Sequence, residues 1–162
     1  MSAFPARLFH LVFAAVLTTA VGCSWHDAGS APAVPKPSGP AAAMCRSLHD
    51  ELPGTVDGLA RSANEPASEF TAAWGDPAVR LRCGVPRPAV LTPGNEDYNP
   101  TADAVDVNGV SWLLEKQDDG YRFTTTGRKT FVEVTVPGEY APEVNALTDF
   151  AESVKGAVPS EL

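Results

Sequence analysis

The sequence has no long hydrophobic run and little positive charge. None of its apolar stretches approaches the 18 or more residues that a membrane-spanning helix needs. Lys and Arg number 12 against 20 Asp and Glu, which gives a formal net charge of −8. Because nucleic-acid-binding proteins carry a basic surface, this balance argues against nucleic acid as a partner. The 162 residues, 44% of them hydrophobic, are enough for one folded domain and exclude a fully disordered chain.

Cysteine and histidine are also scarce. The chain has three cysteines, Cys23, Cys45 and Cys83, and three histidines. An odd number of cysteines in a secreted protein indicates an unpaired or modified thiol. A zinc site needs more Cys or His side chains than this chain offers, and a cysteine nucleophile needs a neighbouring base. We therefore predict no metal site and no cofactor.

The chain begins with a predicted signal peptide, residues 1–22. A short basic segment precedes the apolar run Leu8–Val21, which is too short for a membrane span but has the length of a secretory core. Small residues at Ala20 and Gly22 then precede Cys23, a layout that resembles a bacterial lipoprotein signal whose cysteine receives the lipid. Leu is more usual at the position of Ala20, and plain secretion with cleavage after Gly22 is the alternative.

Residues 23–40 are predicted to hold the lipid-attachment site, Cys23, and a tether. Of the 17 residues in 24–40, 12 are Pro, Gly, Ser or Ala, a composition that cannot build a core and predicts an extended or disordered segment. Lipid on Cys23 would anchor the protein to the outer face of the cytoplasmic membrane. It would also leave Cys45 and Cys83 as a pair in an oxidising compartment, so we predict a disulfide between them.

The remaining residues, 41–159, are predicted to form a single α+β domain. Residues 78–85 alternate between apolar and polar side chains, which places Cys83 on the core face of a strand, where a helix carrying Cys45 would pack. Asn108-Gly109 indicates a hairpin turn. We expect an antiparallel meander with N- and C-terminal helices packed on one face and one disulfide. The expected elements are a helix over 41–52, an ambiguous segment over 55–62, strands over 70–74, 78–85, 105–107, 110–116, 121–126 and 130–136, and a helix opened by Pro142.

Four segments of this domain, with several single residues before them, carry a family resemblance. The segments are AAWGDPAVRLRCGVPRP (72–88), VNGVSWLLEKQDDG (107–120), FTTTGR (123–128) and FVEVTVP (131–137), and the single residues are Cys45, Leu48, Leu52, Pro53, Gly58 and Arg61. They resemble the actinobacterial domain-of-unknown-function family 3515, whose members are short secreted or lipid-anchored proteins with a leader, a tether and this domain. The resemblance implies no activity and supplies no catalytic residues. It supports the predicted export and the pairing of Cys45 with Cys83.

The predicted turn after the strand over 70–74 contains the first candidate site, Trp74 and Asp76. A catalytic role for Asp76 would need a second carboxylate about 5 to 10 Å away, for which Glu115 and Asp118 are candidates. Accepting backbone N–H bonds within the turn is the commoner role of such an aspartate.

The outer face of the predicted sheet is the second candidate site. Arginine side chains suit the carboxylates and phosphates of envelope polymers, so we predict an anion-binding patch at Arg80, Arg82 and Arg128, with Arg87 and Arg122 as further candidates. Cross-strand pairing is the alternative, with Glu115, Glu133 and Asp106 as partners. Aromatic side chains could form a sugar-stacking platform, although core positions are commoner for them, namely Trp74, Trp112, Tyr121 and Phe123.

The sequence favours a lipid-anchored, non-catalytic binding or accessory module of the cell envelope. Such a module would use an exposed sheet face or the polar loop 92–103 to bind an envelope protein or a wall polymer. The alternative is a small envelope hydrolase that uses Asp76 with a second carboxylate.

Overall fold

A computed structural model describes residues 32–64 and 66–161. The predicted signal peptide and the lipid-attachment residue Cys23 lie outside these residues. Among the described residues, none of the helices is both long and apolar enough to cross a membrane. The helices are α1 (Gly39–Glu51) and α2 (Leu147–Ala157), with short 3-10 turns at Ala89–Leu91, Gly138–Tyr140 and Glu143–Ala146. The strands are β1 (Thr55–Val56), β2 (Leu59–Ser62), β3 (Thr71–Trp74), β4 (Val79–Val85), β5 (Ala104–Val107), β6 (Val110–Lys116), β7 (Tyr121–Thr125) and β8 (Phe131–Val136).

The eight strands form one antiparallel sheet in the order β1-β2-β3-β4-β8-β7-β6-β5. This confirms the α+β prediction. The hairpin between β5 and β6 closes at the expected turn, where Val107 pairs with Val110. Asn108 and Gly109 both have a positive φ, 52° and 82°, as a tight hairpin turn requires.

Side-chain alternation divides the sheet into two faces. On the inner face, Leu81 lies opposite Val134 and Cys83 opposite Val132, and all four are buried. The two helices pack against this face, where Phe150 of α2 meets Trp74 edge-on with ring centroids 5.1 Å apart. Burying such apolar area supplies most of the favourable free energy of folding.

A disulfide joins the helical layer to the sheet. Cys45 of α1 is bonded to Cys83 of β4, with their Cα atoms 5.5 Å apart. This confirms the predicted pair. Because the bond links residues 38 apart in sequence, the chain-entropy model assigns it about 4 kcal/mol of stabilisation.

The C-terminal helix begins later than Pro142, where we expected it to open. A 3-10 turn covers Glu143–Ala146, and α2 starts at Leu147. The reason lies in burial, because Leu147 and Phe150 are fully buried whereas Val144 is only partly so. The regular helix therefore starts where the apolar stripe meets the core.

The end of the predicted tether packs on the domain. Nη1 of Arg82 donates a hydrogen bond to the Ala33 carbonyl over 2.9 Å. Pro37 lies so close to Gly84 that a Cβ at that glycine would stand 2.6 Å from the Pro37 Cβ. Helix α1 then starts at Gly39, two residues before the expected boundary, with Pro40 in its first turn. Composition alone did not indicate this packing.

Candidate functional site

A row of polar side chains crosses the outer face of the sheet, opposite the helices. In the register of the central strands, Glu133 lies between Arg82 on β4 and Thr124 on β7. Arg122 lies opposite Glu115 on β6. Because alternate residues of a strand point to the same face, these five side chains form one polar floor.

The segment after β4 folds over this floor and makes a cleft of about 330 Å³. We call it the outer-face cleft. A β-bulge between Cys83 and Val85 shifts the strand register, and Val85 thereby lines the cleft. The rest of the wall comes from the segment that follows, namely Pro86, Pro88, Ala89, Val90 and Asp97. The cleft therefore has a charged floor and a mostly apolar wall.

Hydrogen bonds hold the wall segment in place. Thr92 Oγ1 donates to the Pro88 carbonyl over 2.8 Å, and the Asn99 N–H donates to the Val90 carbonyl over 2.9 Å. Neither Pro86 nor Pro88 has an N–H to continue the strand ladder, so the chain leaves the sheet at this point. The polar loop singled out from the sequence, 92–103, is thus fastened beside the cleft.

Both arginines of the floor are paired with glutamates. Arg82 Nε donates to Glu133 Oε1 over 2.8 Å, and the Glu133 side chain is only 9% exposed. Arg122 holds Glu115 with two hydrogen bonds, of 2.9 and 3.1 Å. This hydrogen bonding raises the pKa of Arg122 above its ordinary value and outweighs burial, which lowers it, while the charges of Glu115 and Glu133 add to the increase.

Two polar groups of the cleft have no such partner. Thr124 is 1% exposed, and its hydroxyl forms no hydrogen bond with any residue that the structure describes. The Asp97 backbone N–H donates to Asn95 Oδ1 over 3.0 Å, but its exposed carboxylate forms no ion pair within 32–64 and 66–161. Both groups are therefore available to a ligand.

Two arginines of the predicted anion patch line one recess, and the third lies elsewhere. Arg82 reaches the outer-face cleft, where Glu133 already holds it. Arg80 and Arg82 both line a smaller recess beside Pro32 and Val34. Arg128 lies at the turn before β8, where its guanidinium donates to the carbonyls of Val158 and Gly109. Arg82 and Arg122 instead form the cross-strand ion pairs that were the alternative to an anion patch, with Glu133 and Glu115 as their partners.

The two residues of the candidate turn lie in different environments. Trp74 is fully buried and donates from Nε1 to the Pro53 carbonyl over 3.0 Å, so it belongs to the core. Asp76 is exposed, and in the described part of the chain its carboxylate accepts no backbone N–H bond. Glu115, one of the two candidate catalytic partners, is engaged by Arg122 in the outer-face cleft, whereas Asp118 is exposed in the turn between β6 and β7.

The aromatic residues offered as a sugar platform lie mostly in the core. Trp112 and Phe123 are 0% and 1% exposed. Tyr121 is half-buried and stacks on Phe123 with ring centroids 5.9 Å apart. Three of the four rings are therefore closed to a ligand, because Trp74 is buried as well.

Two residues of the cleft escaped the sequence analysis, Thr124 and Asp97. The alternation of β7 could have found Thr124, because it shares a face with Arg122. No local pattern could have found Asp97, since its place depends on the wall segment folding back over the sheet. Within 32–64 and 66–161, no three His, Cys, Asp or Glu side chains gather as metal ligands.

Comparison with known proteins gives one match. The profile of a family described as "Protein of unknown function (DUF3515)" matches residues 3–162, essentially the whole chain. No curated protein and no solved structure matches. The family resemblance seen in the sequence is thereby confirmed.

Proposed function

We propose that this chain, which belongs to the DUF3515 family of proteins of unknown function, is a non-catalytic binding module of the cell envelope. Its ligand site is the outer-face cleft, and its anchor is a lipid on Cys23. The ligand belongs to an envelope protein or a wall polymer.

The observation that carries the proposal is a cleft whose charged groups are already held in place. Arg122 grips Glu115 through two hydrogen bonds, and Arg82 holds the nearly buried Glu133. Side chains fixed in this way lose little entropy when a ligand arrives, which favours binding. Its volume of about 330 Å³ lies within the range of small-ligand sites.

The envelope location rests on the sequence of the leader and on the disulfide. A short apolar run followed by small residues and Cys23 is typical of an exported lipoprotein. The bond between Cys45 and Cys83 is compatible with an oxidising compartment outside the cytoplasm. With lipid on Cys23, the Pro-, Gly-, Ser- and Ala-rich segment that follows would tether the domain to the membrane.

The hydrolase alternative gains no such support. Asp76 does not line the outer-face cleft, and Glu115 is occupied by Arg122. Glu115, one of the two carboxylates suggested as its partner, is therefore committed to an ion pair elsewhere on the sheet and not to acid and base catalysis with Asp76.

Site-specific photocrosslinking in intact cells tests the proposal. Benzoylphenylalanine in place of Ala89, an exposed residue of the cleft wall, is expected to give a discrete crosslinked product. The same replacement at Ala43, an exposed residue of α1 in the opposite layer, is the matched control and should give none. Equal products at both positions, or none at either, would count against the cleft as the binding site.

A further inference from the structure

The charges of the outer-face cleft indicate what it binds. Resting on the proposed function, we infer that the cleft accepts an alkylammonium group, a protonated amine at the end of an aliphatic chain. Four features of the site carry this inference: its charge balance, its free acceptors, its apolar wall and its size.

The charge balance of the lining favours a cation. Three carboxylates, those of Asp97, Glu115 and Glu133, face two guanidinium groups, those of Arg82 and Arg122. Both guanidinium groups are already neutralised in place, so the surplus is one negative charge. An anion would bring a further negative charge beside three carboxylates and would compete with Glu115 and Glu133 for the two guanidinium groups. A cation adds no such repulsion and leaves both ion pairs intact.

The free acceptors suit an ammonium group, which brings three N–H donors and no acceptor. Thr124 is 1% exposed as a residue and lines the cleft, and its hydroxyl has no hydrogen-bond partner in the part of the chain that the structure describes. A cleft-lining hydroxyl without a protein partner is free to accept a hydrogen bond from a ligand. The unpaired carboxylate of Asp97 adds a charged acceptor on the wall.

The apolar wall suits the chain that carries the amine. Val85, Pro86, Pro88, Ala89 and Val90 present aliphatic surface beside the charged floor. The two prolines have no backbone N–H, so they offer no donor for an anionic ligand. The volume of about 330 Å³ accommodates a group the size of a lysine side chain.

Binding of small probes to the purified mature chain tests the inference. The probe is Nα-acetyl-lysine N-methylamide, and the matched probe is the norleucine analogue, which keeps the aliphatic chain and lacks the ammonium group. We expect the lysine probe to shift the amide resonances of Val90, Thr124 and Glu133 and to bind at least tenfold more tightly than the norleucine probe. Equal affinity for the two probes, or tighter binding of a third, anionic probe, Nα-acetyl-glutamate N-methylamide, would overturn the inference.

Two variants locate the ammonium group. Asp97→Asn should weaken the lysine probe about two- to fivefold, the range for an exposed ion pair. Asp118→Asn removes one exposed carboxylate from a turn outside the cleft and should leave the affinity unchanged. Thr124→Val, which keeps the volume and removes the hydroxyl, should also weaken binding. If Asp97→Asn and Asp118→Asn have the same effect, the site is not where we infer it.

Two further comparisons show where the amine comes from and which of the two proposals has failed. A lysine probe that binds more tightly than O-phosphoethanolamine assigns the amine to a polypeptide, and the reverse order assigns it to a lipid headgroup. Both results support the ammonium site. Crosslinking at Ala89 without binding of either amine would overturn the ligand class and leave the proposed function standing. If neither crosslinking at Ala89 nor binding of an amine is seen, the proposed function and the ligand class are both overturned.

Discussion

The guanidinium of Arg82 joins two neighbouring strands through Glu133 beneath the outer-face cleft. Its Nε–Oε1 distance is 2.8 Å, and its Nη1 reaches the Ala33 carbonyl of the segment that precedes α1. One side chain thus ties together β4, β8 and the end of the tether. The floor of the outer-face cleft and the segment that precedes α1 therefore share a contact.

Breaking this pair should destabilise the domain. Glu133→Gln leaves Arg82 without its charged partner. We expect a loss of about 2 to 3 kcal/mol in the free energy of unfolding. This is less than a fully buried pair would lose, because the Arg82 side chain is 21% exposed. Urea denaturation measures the loss.

An exposed ion pair supplies the control for that variant. Glu69→Gln removes the partner of Arg46, and because both side chains are more than half exposed, it should cost less than about 1 kcal/mol. Equal losses for the two variants would show that Glu133 does not have the buried role that we assign to it.

The disulfide should carry a large share of the stability of this small domain. Replacing both Cys45 and Cys83 with Ser should lower the free energy of unfolding by about 3 to 4 kcal/mol, because the unfolded chain regains the freedom of the closed loop. Urea denaturation of the double variant and of the oxidised parent gives the difference. Indistinguishable midpoints would contradict the expected contribution.

Gly84 should tolerate no side chain. Gly84→Ala combines a positive φ of 81° with a clash against Pro37, so we expect a loss of about 2 to 4 kcal/mol. Gly94 has a φ of 88° and open space around it, so Gly94→Ala should cost only the backbone strain, about 1 to 2 kcal/mol.

The difference between these glycine variants isolates the packing of the tether end. Thermal unfolding measures the difference in stability between the two variants. Limited proteolysis should cleave the 32–38 segment faster in Gly84→Ala than in Gly94→Ala. Equal unfolding temperatures and equal cleavage rates would indicate that Pro37 does not pack on the sheet as described.

Lipid attachment should depend on the Cys23 thiol. Cys23→Ser removes the atom that would be acylated, so the protein should move from the membrane fraction to the medium. Intact mass measurement of the parent checks the modification directly, since each acyl chain adds a defined mass. An unmodified parent found in the medium would favour plain secretion.

Much of the sheet could be predicted because its strands keep a strict alternation. Val79, Leu81 and Cys83 fall on one face in the sequence pattern and in the structure. That placement agrees with the bond to Cys45, which was predicted from the cysteine count. The Asn108-Gly109 turn was equally clear, since both residues tolerate a positive φ.

The parts that sequence could not predict depend on contacts between distant segments. The short strands β1 and β2 gave an ambiguous pattern, because the burial of 55–62 is irregular. Asp97 reaches the cleft only because the wall segment folds back over the sheet. The contact between Ala33 and Arg82 joins residues 49 apart in sequence, in a region whose composition predicts only an extended chain.

Hydrogen exchange on the mature chain with and without isolated envelope of the native host tests the central claim most directly. If the outer-face cleft holds an envelope ligand, amides of the wall segment and of β7 and β8 should exchange more slowly in the presence of envelope, with α1 and α2 unchanged. Protection confined to the helices, or no protection anywhere, would contradict the account.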